Sequence, residues 1–541
     1  MQRKLKIISA LVLMALVAFA AMGWLTFRNA EKHSGETFSV DNVLADIEVI
    51  SSEPHSVMHP EARAKVREYL AAGLRASGGE PEICVYDTIA GVYCKFEPAG
   101  RDTSSSYLML VAHLDSRFPE MTPHGQVCSY GAADDGYGLG VILEVVDNAL
   151  AYSDRWSQGL KVLFTDAEER RLLGVRTALE RDNAMFDNVG LVINVEARGV
   201  KGPALLFETS DGNSALMDLY LRSAVYPYTY SLTSTVYRFL PNYTDFTYLK
   251  PLFPGYNFSV IDNMHYYHND NDNYSNVSRR SLAHYGAQIG PVVEEYLTSP
   301  EYARPDRLRS GTDDIVFTIP GLTTLRLSAT GNYVLSVVVF ICYIVLLLCY
   351  SLSGRTSLRK VLGSALGITL SAIAAAAAGT LTIYLSALAA GVPFSLTDLR
   401  YLYADGWISS LALILMAVIY IRWFVSGCRK SGDFVFSHLF GLLSVLMVVS
   451  AVLLFTIGEN LFIILPSACV LAGLLFHFFN RMNIMSLPAL LAVELIGVSF
   501  IYNLYVALTA GALGLIMLLA YIYLIMIVSL FNCYMNQRRW L

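Results

Sequence analysis

Three short polar clusters between residues 111 and 174 carry the residue types that hold metal ions. The first is His113-Leu114-Asp115, the second Gly131-Ala132-Ala133-Asp134-Asp135-Gly136-Tyr137-Gly138, and the third Asp166-Ala167-Glu168-Glu169. The first and third close apolar runs at 107–112 and 160–165, and the second opens a helix-like apolar run at 139–149. The polar groups therefore fall where strands hand over to loops and helices, the edge at which open α/β sheets place their ligands. A histidine with several carboxylates, and no cysteine among them, suits zinc or a similar divalent ion held by nitrogen and oxygen. The other half of such a site is expected downstream.

Two further blocks supply it. Asn194-Val195-Glu196 closes the apolar run at 189–195, and His268-Asn269-Asp270-Asn271-Asp272 follows the run around 258–261. Taken together, the five blocks resemble the co-catalytic zinc peptidases of the aminopeptidase Y and glutamate carboxypeptidase family. That pattern is His-x-Asp, Gly-Ala-x-Asp-Asp/Asn-x-x-Gly, Glu-Glu, an acidic residue after a strand, and His-x-x-x-Asp. An isolated Glu-Glu or His-x-Asp occurs often by chance, and Glu168-Glu169 alone would read as a solvated helix N-terminus. Five blocks in order are far more specific.

The resemblance implies an α/β zinc-exopeptidase domain, a central mixed sheet with helices on both faces. It implies His113, Asp134 and Glu196 as ligands of one zinc and Asp134, Glu169 and His268 as ligands of another, with Asp134 bridging. Glu168 becomes the general base that moves a proton from water to the leaving amine. Asp115 is expected to accept from His113 and fix its ring, and Asp272 to do similar work near His268. Asp245 matches a family position that shapes the substrate pocket. Tyr243 beside it could donate to an oxyanion, although packing is its simpler role. Two zinc ions are expected and one is possible, because Glu196 replaces the Asp of many soluble members and the related glutaminyl cyclases, which also carry Glu there, bind one. Arg171 stands where the Glu-Glu block usually carries Gly. His265 competes with His268, but only His268 has Asp272 four residues on and Tyr267 before it. His55 and His59, in a loop ahead of an amphipathic helix striped by Ala64, Val66, Tyr69, Leu70 and Leu74, read as turn residues at the domain edge.

The 541 residues are 54% apolar and only 16% charged, with a positive mean hydropathy. That composition suits a membrane protein with a soluble part. Residues 1–27 read as an N-terminal transmembrane anchor, with Arg3, Lys4 and Lys6 ahead of an uncharged run from residue 7 to 27; a cleaved signal peptide is the competing reading. Residues 28–310 hold all five blocks, residues 311–332 form a connector at the membrane surface with a short strand at 316–319, and residues 333–541 form an α-helical multi-span membrane domain. Seven apolar runs fall at 333–352, 361–388, 408–425, 436–457, 461–479, 487–505 and 512–531, making eight spans with the anchor. Arg355, Arg359, Lys360, Arg429, Lys430, Arg481, Arg538 and Arg539 lie in alternate connections, whereas the others contain only Arg400. The bias places both termini in the cytoplasm and the enzyme-like domain outside it, periplasmic, extracellular or lumenal. Architecture, and the strand-like segment before the first span, resemble the multi-spanning vacuolar and endoplasmic-reticulum metallopeptidases.

Of eight cysteines, Cys84 and Cys94 flank a possible hairpin and could pair in an oxidising compartment or remain buried thiols. Asn242, Asn257, Asn273 and Asn276 head glycosylation sequons, read as chance outside a eukaryotic source. Glu494, mid-span, should face another helix or a cavity. The functional expectation is a membrane-anchored zinc aminopeptidase acting on peptides, with the lipid bilayer as its other partner and no nucleic acid. A carboxypeptidase stays open because Arg117, Arg198 and Lys201 lie near the blocks. A glutaminyl cyclase-like enzyme stays open too, as does a non-catalytic scaffold or transporter with a decayed hydrolase domain. Oligomeric state is left open.

Overall fold

Four strands, β3 (Tyr107–His113), β6 (Gly159–Thr165), β7 (Val189–Ala197) and β9 (Gly255–Val260), are buried along their whole length. Such continuous burial suits the centre of a parallel sheet covered on both faces. In the computed structural model, which describes residues 2–21, 30, 38–97, 105–123, 125–238, 242–480 and 485–535, they run parallel in the order β6-β3-β7-β9. The outer strands β1 (Glu82–Tyr86), β2 (Ile89–Phe96) and β8 (Leu205–Thr209) pair antiparallel, giving the mixed order β1-β2-β6-β3-β7-β9-β8. A separate hairpin joins β4 (Glu120–Thr122) to β5 (Gly125–Val127).

Alternation along the strands divides the interior into two cores. Leu108, Leu110, Val162 and Ile193 pack with α2 (Val40–Ile50), α3 (Pro60–Ala76), α4 (Gly136–Leu150), α6 (Ser214–Ser223) and α9 (Arg279–Thr298). Met109, Val111, Leu163 and Val192 point the other way, onto α5 (Leu173–Arg181) and α8 (Phe246–Leu249). Helices on both faces of a mixed sheet are what the resemblance implies. The stripe on α3 is shifted, however. Ala62, Arg63, Val66, Leu70, Ala71 and Leu74 are buried, while Ala64 and Tyr69 are only half-buried. The cause is Arg63, whose Nη1 lies 3.1 Å from Asp166 Oδ1 and draws its charge inward.

Cys84 and Cys94 are free and buried. The hairpin register sets Cys84 opposite Gly91, while Cys94 faces Val162 of β6, so the two are not cross-strand neighbours. The chain folds as two compact units, Leu25–Thr318 with Thr324–Ser328, and Met1–Trp24 with Ile319–Thr323 and Ala329–Leu541. The expected strand at 316–319 lies inside β10 (Asp314–Ile319), which pairs with β11 (Thr323–Ser328), a strand without a counterpart in the sequence reading.

The second unit is helical. It contains α1 (Gln2–Ala21) and then α10 (Ala329–Leu352), α11 (Leu358–Ala389), α12 (Asp405–Lys430), α13 (Phe434–Ile457), α14 (Leu461–Asn480), α15 (Ser486–Leu508) and α16 (Leu513–Met535). Among the described residues seven helices are long and apolar enough to cross a membrane, and the seven apolar runs fall on them, the last run starting one residue ahead of α16. In α1 the apolar stretch is the shorter Ile7–Phe19, and the rest of the expected anchor lies outside the described residues, as do Arg481, Arg538 and Arg539. Glu494 is buried on α15, as expected of a mid-span carboxyl.

Candidate metal centre

Because β3, β6, β7 and β9 run parallel, their C-terminal ends share one edge of the sheet. His113 ends β3 opposite Thr165, which ends β6 just ahead of Glu168 and Glu169, and Glu196 lies in the last turn of β7. Asp134 sits in the turn opening α4, and His268 in the loop after β9. That turn needs Gly131. Its φ is +64°, and a Cβ there would lie 2.9 Å from Ser116 Cβ.

The side chains converge in two overlapping groups. His113 Nε2 lies 3.1 Å from Asp134 Oδ1 and 3.6 Å from Glu196 Oε2. His268 Nε2 lies 3.1 Å from Asp134 Oδ2 and 2.9 Å from Glu169 Oε1. Within His113–Asp134–Glu196, and within Asp134–Glu169–His268, the donor atoms all fall within 4.8 Å of one another, and both groups share Asp134. His265 belongs to neither group. Tyr267 stacks on the His268 ring at 3.6 Å, and Asn269 Nδ2 donates to the main-chain oxygens of His265 and Tyr267, holding the loop.

The chemistry of these donors fits zinc. His113 Nδ1 donates to the main-chain oxygen of Asp115 at 2.9 Å, so in the neutral ring Nε2 carries the lone pair turned toward two carboxylates. Among the described residues, Asp134 Oδ2, Glu169 Oε1 and His268 Nε2 are buried with no hydrogen-bond partner. A cation between them would satisfy lone pairs at these separations, and the spacing approaches the edge of a tetrahedral shell with bonds of about 2 Å. Burial works to raise the Asp134 carboxyl, but His113 and His268 hold it below the usual range. Burial pushes Glu196 up to about 8 and Glu168 well above its usual value.

Two expected supports act on different atoms. The Asp115 carboxylate is 3.7 Å from His113 Nδ1, and its Oδ1 instead accepts the Glu168 backbone N–H at 2.9 Å. Asp115 thus steadies the histidine through its main chain and Glu168 through its side chain. Asp272 does not serve His268. It accepts from Ser129 Oγ at 2.9 Å and from the backbone N–H groups of Ala133 and Asp134 at 2.7 and 3.4 Å, fixing the turn that presents Asp134. Asp135, a close neighbour in sequence, is no member of either group. Its Oδ2 accepts the His113 N–H and its Oδ1 caps α4 through Gly138.

Asp245 is buried, accepts from Thr165 Oγ1 and has its other oxygen unpartnered; burial pushes it up to about 6. Tyr243 is 67% exposed, which removes it from the interior of the site. The sequence reading passes over Tyr237, at the end of α7 (Ser231–Tyr237), whose buried hydroxyl lacks a partner among the described residues and is raised well above its usual range by burial and by Glu208, Glu196 and Glu168. It also passes over Arg117 as a support: Nη1 donates to Glu169 Oε2 at 2.7 Å and Nε to Glu120 Oε1 at 2.7 Å. Arg198 Nη1 and Nη2 each donate at 3.0 Å to Asn242 once that amide turns its oxygen toward them, and Lys201 is exposed. His55 is not at the domain edge. It is fully buried, with its backbone N–H on Ser116 Oγ at 3.0 Å, while His59 pairs with Ser56 Oγ at 2.9 Å. Asn257 is buried in a hydrogen bond to Asn194, so its sequon is inaccessible in the fold.

Fold and donor set define an α/β domain of the zinc-exopeptidase kind. Residues 92–293 match the model of peptidase family M28, and the chain carries a peptidase M28 domain. Over 266 residues it is 28% identical to endoplasmic reticulum metallopeptidase 1 of Mus musculus, covering 47% of this chain and 28% of that protein. It is 25% identical over 221 residues to the vacuolar membrane protease of Yarrowia lipolytica, covering 40% of this chain and 21% of the relative. A solved Zn-dependent exopeptidase from Parabacteroides distasonis aligns at 19% identity and a TM-score of 0.38, over 48% of this chain and 98% of that one. The chain thus spans about a quarter of the length of these curated relatives. With its long apolar helices, it is an integral membrane protein.

Proposed function

We propose that the chain is a membrane-anchored zinc exopeptidase, most simply an aminopeptidase, that hydrolyses peptides on the non-cytoplasmic side. The observation that carries this reading is the pair of donor groups sharing Asp134, with Glu168 beside them on a backbone N–H held by Asp115. His113, Asp134 and Glu196 would hold one zinc and Asp134, Glu169 and His268 a second. When bound, zinc would acidify a water and polarise the scissile carbonyl. Glu168, held through its backbone N–H by the Asp115 carboxylate, would take a proton from the attacking water and return it to the leaving amine. Tyr237 is better placed than Tyr243 to donate toward the developing oxyanion, since its hydroxyl is buried and unpartnered.

Two features favour an amine over a carboxylate as the recognised terminus. Arg117, a basic residue close to the donors, is held by Glu169 and Glu120. Asp245 Oδ1 is a buried acceptor without a partner, suited to an ammonium group. The basic residues of alternate connections orient the domain outside the cytoplasm with both termini inside, α1 serving as an eighth span. The test is metal per chain and hydrolysis of aminoacyl and carboxy-terminal reporter peptides, comparing native protein with Glu168→Gln. Two zinc ions retained in both, with aminoacyl hydrolysis falling by about 10²–10⁴-fold in the variant, support the reading. Zinc without peptide turnover favours the cyclase, and no bound metal returns the domain to a scaffold.

A further inference from the structure

The connection between α13 and α14, Gly458-Glu459-Asn460, holds a carboxylate that the peptidase chemistry does not use. Glu459 is 3% exposed, and among the described residues neither of its oxygens has a hydrogen-bond partner. Burial alone pushes its carboxyl up to about 8. The start of α14 favours negative charge, yet no backbone N–H donates to this group. Two fully buried amides adjoin it in the chain or through Gly458. Asn460 Nδ2 donates to Ser450 Oγ at 2.7 Å, to Ser336 Oγ at 3.0 Å and to the Ser450 main-chain oxygen at 3.4 Å. Asn332, on α10, donates through Nδ2 to the main-chain oxygen of Gly458 at 3.3 Å. Backbone carbonyls only accept, so both amide orientations are set and leave Asn460 Oδ1 and Asn332 Oδ1 as buried oxygens without partners.

The orphans are therefore all acceptors: the two oxygens of Glu459 and one from each asparagine. A single proton on Glu459 would supply one donor and leave the remaining oxygens unsatisfied, an expensive arrangement in a dry interior. A metal cation can satisfy several oxygens at once, as hard cations do. One formal negative charge with neutral amide oxygens balances a single positive charge, whereas calcium sites gather several carboxylates. We propose that Glu459, Asn460 and Asn332 form a binding site for a monovalent cation of sodium's kind, built where α10, α13 and α14 come together in the membrane unit.

The test uses the full chain purified in detergent with its zinc saturated, melted in sodium, potassium or N-methyl-D-glucamine chloride at equal ionic strength. Sodium should raise the melting temperature saturably by about 2–4 °C over the organic cation. Glu459→Gln, which replaces the charge by an amide whose own N–H groups can meet the orphaned oxygens, should melt at the same temperature in all three salts. Asn332→Asp adds a second carboxylate and should turn the response toward calcium. Identical melting of the native protein in every salt overturns the site, as does a sodium response that survives in Glu459→Gln or an Asn332→Asp variant with no change in cation preference. The readout is melting rather than hydrolysis, so its failure leaves the peptidase reading untouched.

Discussion

Arg117 and Glu169 are locked together: Nη1 donates to Oε2 at 2.7 Å, which leaves Oε1 to lie 2.9 Å from His268 Nε2. The arginine also holds Glu120 and covers the Phe118 ring at 4.3 Å, so its guanidinium is fixed in its turn. A ligand carboxylate oriented by a charge-assisted hydrogen bond binds metal with less rearrangement. If the proposed pair of zinc ions is bound, Arg117→Met should therefore weaken the one assigned to Asp134, Glu169 and His268 by about 10–100-fold, with the other less affected. Chelator competition, following the release of each equivalent, measures this. Release curves identical to the native protein would show that Glu169 needs no such support.

Arg63 and Asp166 form a buried pair at 3.1 Å, and Asp166 Oδ2 also accepts the Ala90 N–H at 2.7 Å. Removing one partner strands the other charge in the core. Arg63→Met should lower stability by about 3–5 kcal/mol. Chemical denaturation of the native and variant chains reads the difference, and a loss below about 1 kcal/mol would mean that water reaches Asp166.

His284 is buried on α9, with Nδ1 accepting the Ala204 N–H at 3.1 Å and Nε2 donating to the Tyr226 main-chain oxygen at 2.9 Å. Burial lowers it from 6.5 to about 4 in the fold. The unfolded chain therefore binds the proton more readily between those values. The stability contributed by the neutral ring is whole above about pH 6.5 and is lost as pH falls toward 4, to the extent of about 3 kcal/mol. His284→Gln should flatten that part of the stability profile, as seen in melting temperature against pH. An unchanged slope in the variant would assign the loss to other groups.

Arg171 adopts φ +65°, in the left-handed region that favours glycine, and its side chain is exposed. The glycine expected there by resemblance has a conformational reason, and arginine bears the strain. Arg171→Gly should stabilise the chain by about 1 kcal/mol while leaving metal content unchanged. A fall in stability on denaturant titration would show that arginine side-chain contacts outweigh the backbone term.

Much of the site was legible because its chemistry is local. Each block lies at the end of an apolar run, and strands β3, β6, β7 and β9 are apolar enough to be recognised as buried. Parallel pairing then brings their ends to one edge, so residues as distant as His113 and His268 both meet Asp134. The long apolar helices were legible for a similar reason, since hydropathy over about 20 residues is enough to mark a span.

The sequence by itself determined the donor types, their order along the chain and the division between a charged domain and an apolar helical one. Only the tertiary structure decided which atom each support touches: Asp115 on Glu168, Asp272 on the Asp134 turn, Arg117 on Glu169 and Arg63 on Asp166. It alone exposed Tyr243, buried the Tyr237 hydroxyl and separated Cys84 from Cys94. The physical reason is range. Periodicity and motif spacing report burial and backbone direction, properties averaged over several residues, whereas a hydrogen bond is made or lost within a few tenths of an ångström between groups that only the folded chain brings together.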